Sequence, residues 1–141
     1  HTKAGVVRVK LLPKVAPHHV INIAWLTRLG FYDGLRFHRV IPGYLAQGGC
    51  PLGDGKGGPG YLLDGEFPNQ GPRFDHRGAV GMSNAGPRTD GSQFFIVNGG
   101  NPSHLDGVHT VFGKAVGPAD IAVVQAIRAD DRILKVTVVE G

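Results

Sequence analysis

FHRVIPGYLAQGG, residues 37–49, reads as two short strands folded back on each other across a Pro42-Gly43 turn. The period-2 alternation of a strand sends Phe37, Arg39 and Ile41 to one face and His38 and Val40 to the other. An arginine that shares a face with Phe37 and Ile41 is expected to be partly desolvated. Such a guanidinium costs free energy unless it is hydrogen-bonded, so it needs partners or a role. The plainer alternative is an arginine at a sheet edge that snorkels to water.

Outward from this hairpin the chain is a series of short apolar runs separated by turn residues. Gly5–Leu11 alternates as GVVRVKL and predicts a strand, as do Arg36–Ile41, Leu45–Gln47, Ala79–Met82, Gln93–Val97, Val111–Val116 and Arg132–Val139. Two helices interrupt them. Pro17 suits a first helical position, Gly30 a stop, and Val20, Ile23, Ala24 and Trp25 supply an apolar stripe between them. Pro118 opens the second helix, with Ile121, Val124 and Ile127 on one side. Residues 48–60 are a glycine-rich loop without periodicity. Nothing repeats as a β-α unit, so the expected fold is mainly β: a closed antiparallel barrel of about seven to eight strands capped by two α-helices.

Composition excludes several classes of function. The 141 residues make one domain, 1–141, with room for a real core. The 23 glycines and 10 prolines punctuate the chain instead of forming a biased block. No apolar run approaches the roughly 18 residues needed to span a membrane. The net charge is +4, and seven lysines or arginines stand against the single acid Asp33 through Cys50. These cations are dispersed and not interleaved with aromatics, so no nucleic-acid partner is expected. The lone Cys50 excludes an internal disulfide. No targeting segment is legible, which makes the cytoplasm the expected compartment, and nothing argues for a stable oligomer, so a monomer is expected.

Several literal motifs carry no chemistry in this setting. Gly53, Gly55 and Gly58 spell G-x-G-x-x-G, but Pro59-Gly60 follows and no helix N-terminus is there to hold a pyrophosphate. Gly81–Ala85 is close to the hydrolase elbow G-x-S-x-G, with alanine where the last glycine belongs. Of the seven histidines, His18 and His19 fall on adjacent helix faces, and His1, His38, His76, His104 and His109 show neither i, i+4 pairing nor supporting cysteines. No metal site and no cofactor are expected. Asn101-Pro102-Ser103 is barred from glycosylation by its proline.

What remains is a scattered set: Arg39, Leu45 and Gln47, then SNAGPRTDGSQFF from Ser83, then HLDGVHTVFG from His104. Residue by residue, Phe94, Phe95 and Phe112 are simplest as core and Asn84 as a turn residue. As an ordered set, FHRVIPGYLAQGG, GDGKGGPGY from Gly53, SNAGPRTDGSQFF and HLDGVHTVFGKAV resemble the cyclophilin-type peptidyl-prolyl isomerases, and the resemblance runs over nearly the whole chain. It implies that Arg39 is the catalytic arginine and Gln47 the glutamine beside it. It places Tyr44 and Leu45 where the family has phenylalanine and methionine, Phe95 on the floor of a proline pocket, and Leu105 on its wall. Ser83, Asn84 and Ala85 match the strip that pairs with substrate backbone, with Gln93 nearby and His109 at the pocket edge. Gly55–Gly58 match a loop lining a neighbouring pocket for residues before the proline. The implied partners are proline-containing peptides and unfolded or folding proteins.

Four departures bear on this. His104 stands where cyclosporin-sensitive members carry tryptophan, so weakened affinity for cyclosporin-like ligands is expected. Leu45 replaces a methionine and loses its adaptability. Tyr44 adds a hydroxyl, and Cys50 stands where aspartate is common. The implied chemistry needs no nucleophile. Twisting an amide out of plane meets a barrier of about 18–20 kcal/mol, and before proline the cis and trans forms are nearly balanced. The twisted prolyl nitrogen gains a lone pair that a guanidinium can bond only then. Two other classes are weighed beside an isomerase: a proline-binding module that holds peptides without turnover, and a basic scaffold domain. A pure binder needs the apolar pocket but not the Arg39–Gln47 pair.

Overall fold

The computed structural model describes residues 1–74 and 77–140, so His76 lies outside the described residues. Among these, six strands form one antiparallel sheet: β1 (Val9–Leu11), β2 (Arg39–Ile41), β3 (Leu45–Gly48), β4 (Ala79–Met82), β5 (Phe94–Val97) and β6 (Val111–Ala115), in the order β1-β6-β4-β5-β3-β2. Two helices accompany it, α1 (Pro17–Arg28) and α2 (Pro118–Ala126), with one 3-10 turn at Pro102–Leu105.

Local chemistry explains the punctuation. Gly43 has φ +75°, and Tyr44 N–H donates to the Ile41 carbonyl at 3.0 Å, which with Pro42 makes a type II turn. Helix α1 ends in a Schellman motif: Gly30 has φ +73° and donates to Thr27 O, while Phe31 N–H reaches Leu26 O, both at 3.0 Å. At the start of α2, the Asp120 carboxylate accepts the Gly117 N–H at 3.0 Å.

The sheet buries both faces. On one side Ala46, Val80, Met82 and Ile96 pack with Phe112 and with Val124 and Ile127 of the α2 end; on the other, Leu45, Ala79, Phe95 and Val97 pack with Phe74 and Val111. Successive residues of β4 and β5 enter opposite cores. This is why AVGM and FFIV read as continuous apolar runs and not as alternations.

Several expectations are corrected. The sheet is open and has six strands, not a closed barrel of seven or eight. The segment 132–139 forms no strand, and only the Arg36–Arg132 bridge survives of it. Its donors are taken up elsewhere: Leu134 N–H donates to His1 O at 2.8 Å and Val136 N–H to the Asp33 carboxylate at 2.9 Å. The first strand shortens to Val9–Leu11 and the second to Arg39–Ile41. Helix α1 does not turn Trp25 inward, since that residue is 59% exposed; its buried positions are His19, Asn22, Leu26 and Thr27. Finally, Phe37 and Ile41 do not share a face. The chain is irregular at 37–38, so Phe37 joins the helix-side core while Ile41 packs on the opposite one, and Arg39 is exposed, not desolvated.

Candidate active site

The β2–β3 ladder sets Arg39 opposite Gln47 and Ile41 opposite Leu45; the β3–β5 ladder then sets Gln47 opposite Phe95. Because paired residues point to the same face, Arg39, Gln47 and Phe95 line up across three strands. They open onto a cavity of about 230 Å³. Leu45 and Leu105 form its apolar wall, while Ser83, Asn84 and His109 close the remaining sides. Eight of the residues expected from sequence therefore converge: Arg39, Leu45, Gln47, Ser83, Asn84, Phe95, Leu105 and His109.

Phe95 is buried and held from two directions. Its ring stacks on Phe74, centroids 5.4 Å apart at 27°, and meets His109 edge-on at 5.4 Å and 87°. His109 Nδ1 lies 2.9 Å from the Met82 carbonyl, which can only accept, so Nδ1 carries the proton and Nε2 is left free. Behind the cavity runs a chain of amides. Gln93 Nε2 donates to Gly55 O at 2.8 Å and Gly57 O at 2.9 Å. With its amino group committed, Gln93 presents Oε1 to Gln47 Nε2 at 3.3 Å. Gln47 must then turn its own Oε1 toward Arg39, whose Nη1 donates to it at 3.3 Å. The glycine loop thus fixes the orientation of the arginine's partner through two side chains.

A second cavity of about 280 Å³ adjoins the first and shares Gln47, Ser83 and Asn84 with it. It contains the Gly55–Gly58 loop, Ala85 and Gln93, as expected from sequence, together with Leu62 and Thr89, which were not singled out as site residues. Tyr44 and His104 border neither cavity; the Tyr44 hydroxyl lies 3.2 Å from His104 Nε2 instead. Asn84 Nδ2 is committed to the Val108 carbonyl at 2.9 Å. Among the described residues no hydrogen bond takes the backbone N–H or carbonyl of Asn84, so its main chain is the part open to a bound peptide.

Beside the second cavity, Cys50 is buried under the 52–57 loop. Burial pushes its thiol up, but backbone N–H groups, with Gly57 N at 3.2 Å from Sγ, bring it net below the ordinary thiol value. His38 is lowered, first by burial and then by the neighbouring Arg39 charge. A buried cluster was not legible in the sequence: His19 lies between Glu66 and Asp90, separated from them by 47 and 71 positions in the chain. Among the described residues no group of histidine, cysteine and carboxylate side chains is arranged to hold a metal ion, and no helix is long and apolar enough to cross a membrane.

Comparison with known proteins gives this geometry its family. Residues 1–140 match the family described as cyclophilin type peptidyl-prolyl cis-trans isomerase/CLD. Over 98% of its length the chain is 48% identical to a peptidyl-prolyl cis-trans isomerase of Synechococcus elongatus, 92% of which is covered. Over 82% it is 51% identical to peptidyl-prolyl cis-trans isomerase B of Bacillus subtilis, with 80% of that protein covered. The crystal structure of a Cryptosporidium parvum cyclophilin type isomerase in the presence of the dipeptide Ala-Pro superposes with a TM-score of 0.81 at 31% identity, covering 94% of this chain and 88% of that one. An open six-stranded sheet with a cation, a glutamine and an aromatic floor around one cavity, matched from end to end by such relatives, identifies the chain as a member of the cyclophilin-type peptidyl-prolyl cis-trans isomerases.

Proposed function

We propose that the cavity floored by Phe95 binds the pyrrolidine ring of an X-Pro segment and that Arg39 lowers the barrier to rotation about its peptide bond. The observation that carries this reading is the Arg39–Gln47 contact beside the apolar Phe95, Leu45 and Leu105 side of the cavity. In the planar amide the prolyl nitrogen has no lone pair to offer. At the twisted geometry it pyramidalises and accepts a hydrogen bond from the guanidinium, which is charged at every accessible pH. The contact strengthens only at the transition state, which is the condition for raising turnover and not merely affinity. Phe95, Leu45 and Leu105 hold the ring, and the free backbone groups of Asn84 pair with the preceding residue, so one side of the bond is fixed while the other swings.

A thousandfold acceleration corresponds to about 4 kcal/mol. One charge-assisted hydrogen bond plus anchoring of the ring supplies energy of that order. The relative solved with Ala-Pro supports proline-containing peptides as the substrate class. His104, facing Tyr44 outside the cavity, supports weakened affinity for cyclosporin-like ligands.

The test is cis/trans exchange on a short Ala-Pro peptide, measured by NMR with wild-type protein and with Arg39→Ala. Exchange accelerated by the wild type and lost in a folded Arg39→Ala protein is the expected result. Wild-type acceleration in that variant would remove Arg39 from the mechanism. Saturable binding without faster exchange in the wild type would leave a peptide-holding module in place of an isomerase acting through this site.

A further inference from the structure

His19 is the third residue of α1 and is fully buried. Its Nδ1 lies 2.6 Å from the Glu66 carboxylate and its Nε2 2.7 Å from that of Asp90. Carboxylates only accept, so both ring nitrogens must donate, and only the imidazolium has two donors. Burial alone pulls the His19 pKa down; the two hydrogen-bonded carboxylates outweigh it and hold the group net above the ordinary imidazole value.

The two carboxylates are not equivalent. Glu66 also accepts the backbone N–H of His18 at 3.2 Å and of His19 at 2.8 Å, taking the place of the N-cap side chain that Ala16 lacks. The Asp90 carboxylate is 2% exposed and, among the described residues, accepts from His19 alone. Loss of the His19 proton therefore sets a ring lone pair against an acceptor, and Asp90 is the partner with no other donor. Asp90 lies in the 83–92 part of the 83–93 connection between β4 and β5, whose opposite end, Ser83–Asn84, walls both cavities. Thr89, its neighbour, ties the two ends together, since its Oγ1 accepts the Ala85 N–H at 2.8 Å and donates to Gly86 O at 2.7 Å. Between them Arg88 holds φ +61°, a conformation an arginine keeps only under restraint.

We propose that His19, as an imidazolium bridging Glu66 and Asp90, is a positioning residue that holds the 83–92 segment in its substrate-binding placement and releases it when the proton is lost. The ionisable groups facing His19 are Glu66 from the segment before Phe67 and Asp90 from the 83–92 segment. Tyr61, bonded to Asn22 of the same helix, is the other ionisable group there, and burial pushes its phenol up, away from neutral pH. The functional part of the inference rests on the reading that Ser83–Ala85 hold substrate; the structural part does not.

The experiment uses wild type, Asp90→Asn and His19→Gln, followed from about pH 5 to pH 9 around the ordinary imidazole range. NMR reports the His19 ring and the amides of Ser83, Asn84 and Ala85, and exchange kinetics on an Ala-Pro peptide give KM and kcat separately. In the wild type the three amides shift with the His19 midpoint. KM rises through the same midpoint by about fivefold or more, the lower end of ordinary site-to-site coupling, while kcat holds. Asp90→Asn keeps the hydrogen bond and removes one anion, so both midpoints move down together, by about one pH unit. His19→Gln shows a pH-independent KM at the raised level. A step arising from any other group is told apart because it does not follow the Asp90→Asn change. Silent amides while His19 titrates, a His19 ring that stays neutral across the whole range, or a KM step that stays put in Asp90→Asn would each overturn the proposal. A purely structural role predicts lower thermal stability with no movement of these midpoints. Should the wild type not turn over the peptide at all, the proposed function fails while the amide titration still decides the role of His19.

Discussion

Gly81 sits in β4 directly opposite Phe95 of β5, and the space above its Cα is already occupied. A Cβ placed there would lie 2.5 Å from Phe74 Cζ and 2.7 Å from Phe95 Cζ, where ordinary contact begins near 3.4 Å. Gly81→Ala must therefore drive the two stacked rings outward by about 0.9 and 0.7 Å, the shortfalls from ordinary contact. Gly81 does not have the positive φ that favours glycine, so the methyl acts through packing and not through backbone strain. Overpacking of this kind costs about 1–3 kcal/mol, which in a domain of this size lowers Tm by about 4 °C for each kcal/mol. The displaced Phe95 ring is the floor of the cavity, and a misplacement approaching 1 Å lowers kcat/KM by about 10- to 100-fold. Thermal unfolding and exchange NMR on an Ala-Pro peptide measure the two effects. Phe74→Leu in the same protein gives the ring stack somewhere to go. The double variant should recover at least about 0.5 kcal/mol relative to the sum of the singles. An unchanged Tm and kcat/KM in Gly81→Ala, or strict additivity in the double variant, would refute the steric account of the pocket floor.

Other expectations follow from the same geometry. Arg39→Lys keeps the charge but loses the planar fork that bonds Gln47 and substrate together, so turnover falls at least about tenfold; Arg39 is exposed, so Tm stays close to wild type. Phe95→Ala costs about 3–5 kcal/mol in chemical denaturation and weakens proline-peptide binding, since the ring is both core and floor. Asp120 is held below its ordinary value of 3.8, first by the Arg8 side chain, and Asp131 likewise, first by the Arg128 backbone N–H. Their folded pKa values are depressed, so their stabilisation is full above 3.8 and drains as pH falls through the folded values; acid titration of Tm in Asp120→Asn should show a shallower acid limb than wild type. His19 is the opposite case. Its raised folded pKa makes its contribution complete below 6.5 and lost as pH rises through the folded value, a basic-limb loss of Tm that His19→Gln should lack.

Local chemistry was legible in the sequence and long-range hydrogen bonding was not. The 42–43 turn, both proline helix starts and the glycine stop of α1 follow from fixed φ at proline and tolerated positive φ at glycine, and each formed where the residues placed it. Ala79–Met82 was bounded correctly because it is a doubly buried run between turn residues. On helix α1 the stripe held for Val20 and Ile23, which pack against the core, but not for Trp25; the polar burial of His19 and Asn22, satisfied by Asp90, Glu66 and the Gly91 carbonyl, is nothing a periodicity of apolar residues can reveal. The seventh strand is reduced to a bridge for a similar reason: Ile133 pairs with the 34–35 backbone, but beyond it the N–H groups of Leu134 and Val136 go to His1 and Asp33 and no ladder continues. At the site, the residues on strands gathered as expected, since register follows from the hairpin. Tyr44 and His104 paired with each other outside the cavity instead.

The exposure of Arg39 changes where its energy enters the reaction proposed here. A guanidinium already stripped of water would carry that penalty in the free protein and would need permanent partners; among the described residues Arg39 bonds Gln47 alone, through a 3.3 Å contact. Left hydrated, it gives up water only when a peptide covers the cavity, so desolvation weighs on binding while the bond to the pyramidal nitrogen lowers the transition state alone. The two terms separate experimentally. Arg39→Ala removes both, so kcat falls while KM holds or drops; Phe95→Ala removes ring anchoring, so KM rises. A rise in KM at constant kcat for Arg39→Ala would mean that the cation only binds the peptide, and rotation would then have to be assigned to the apolar walls.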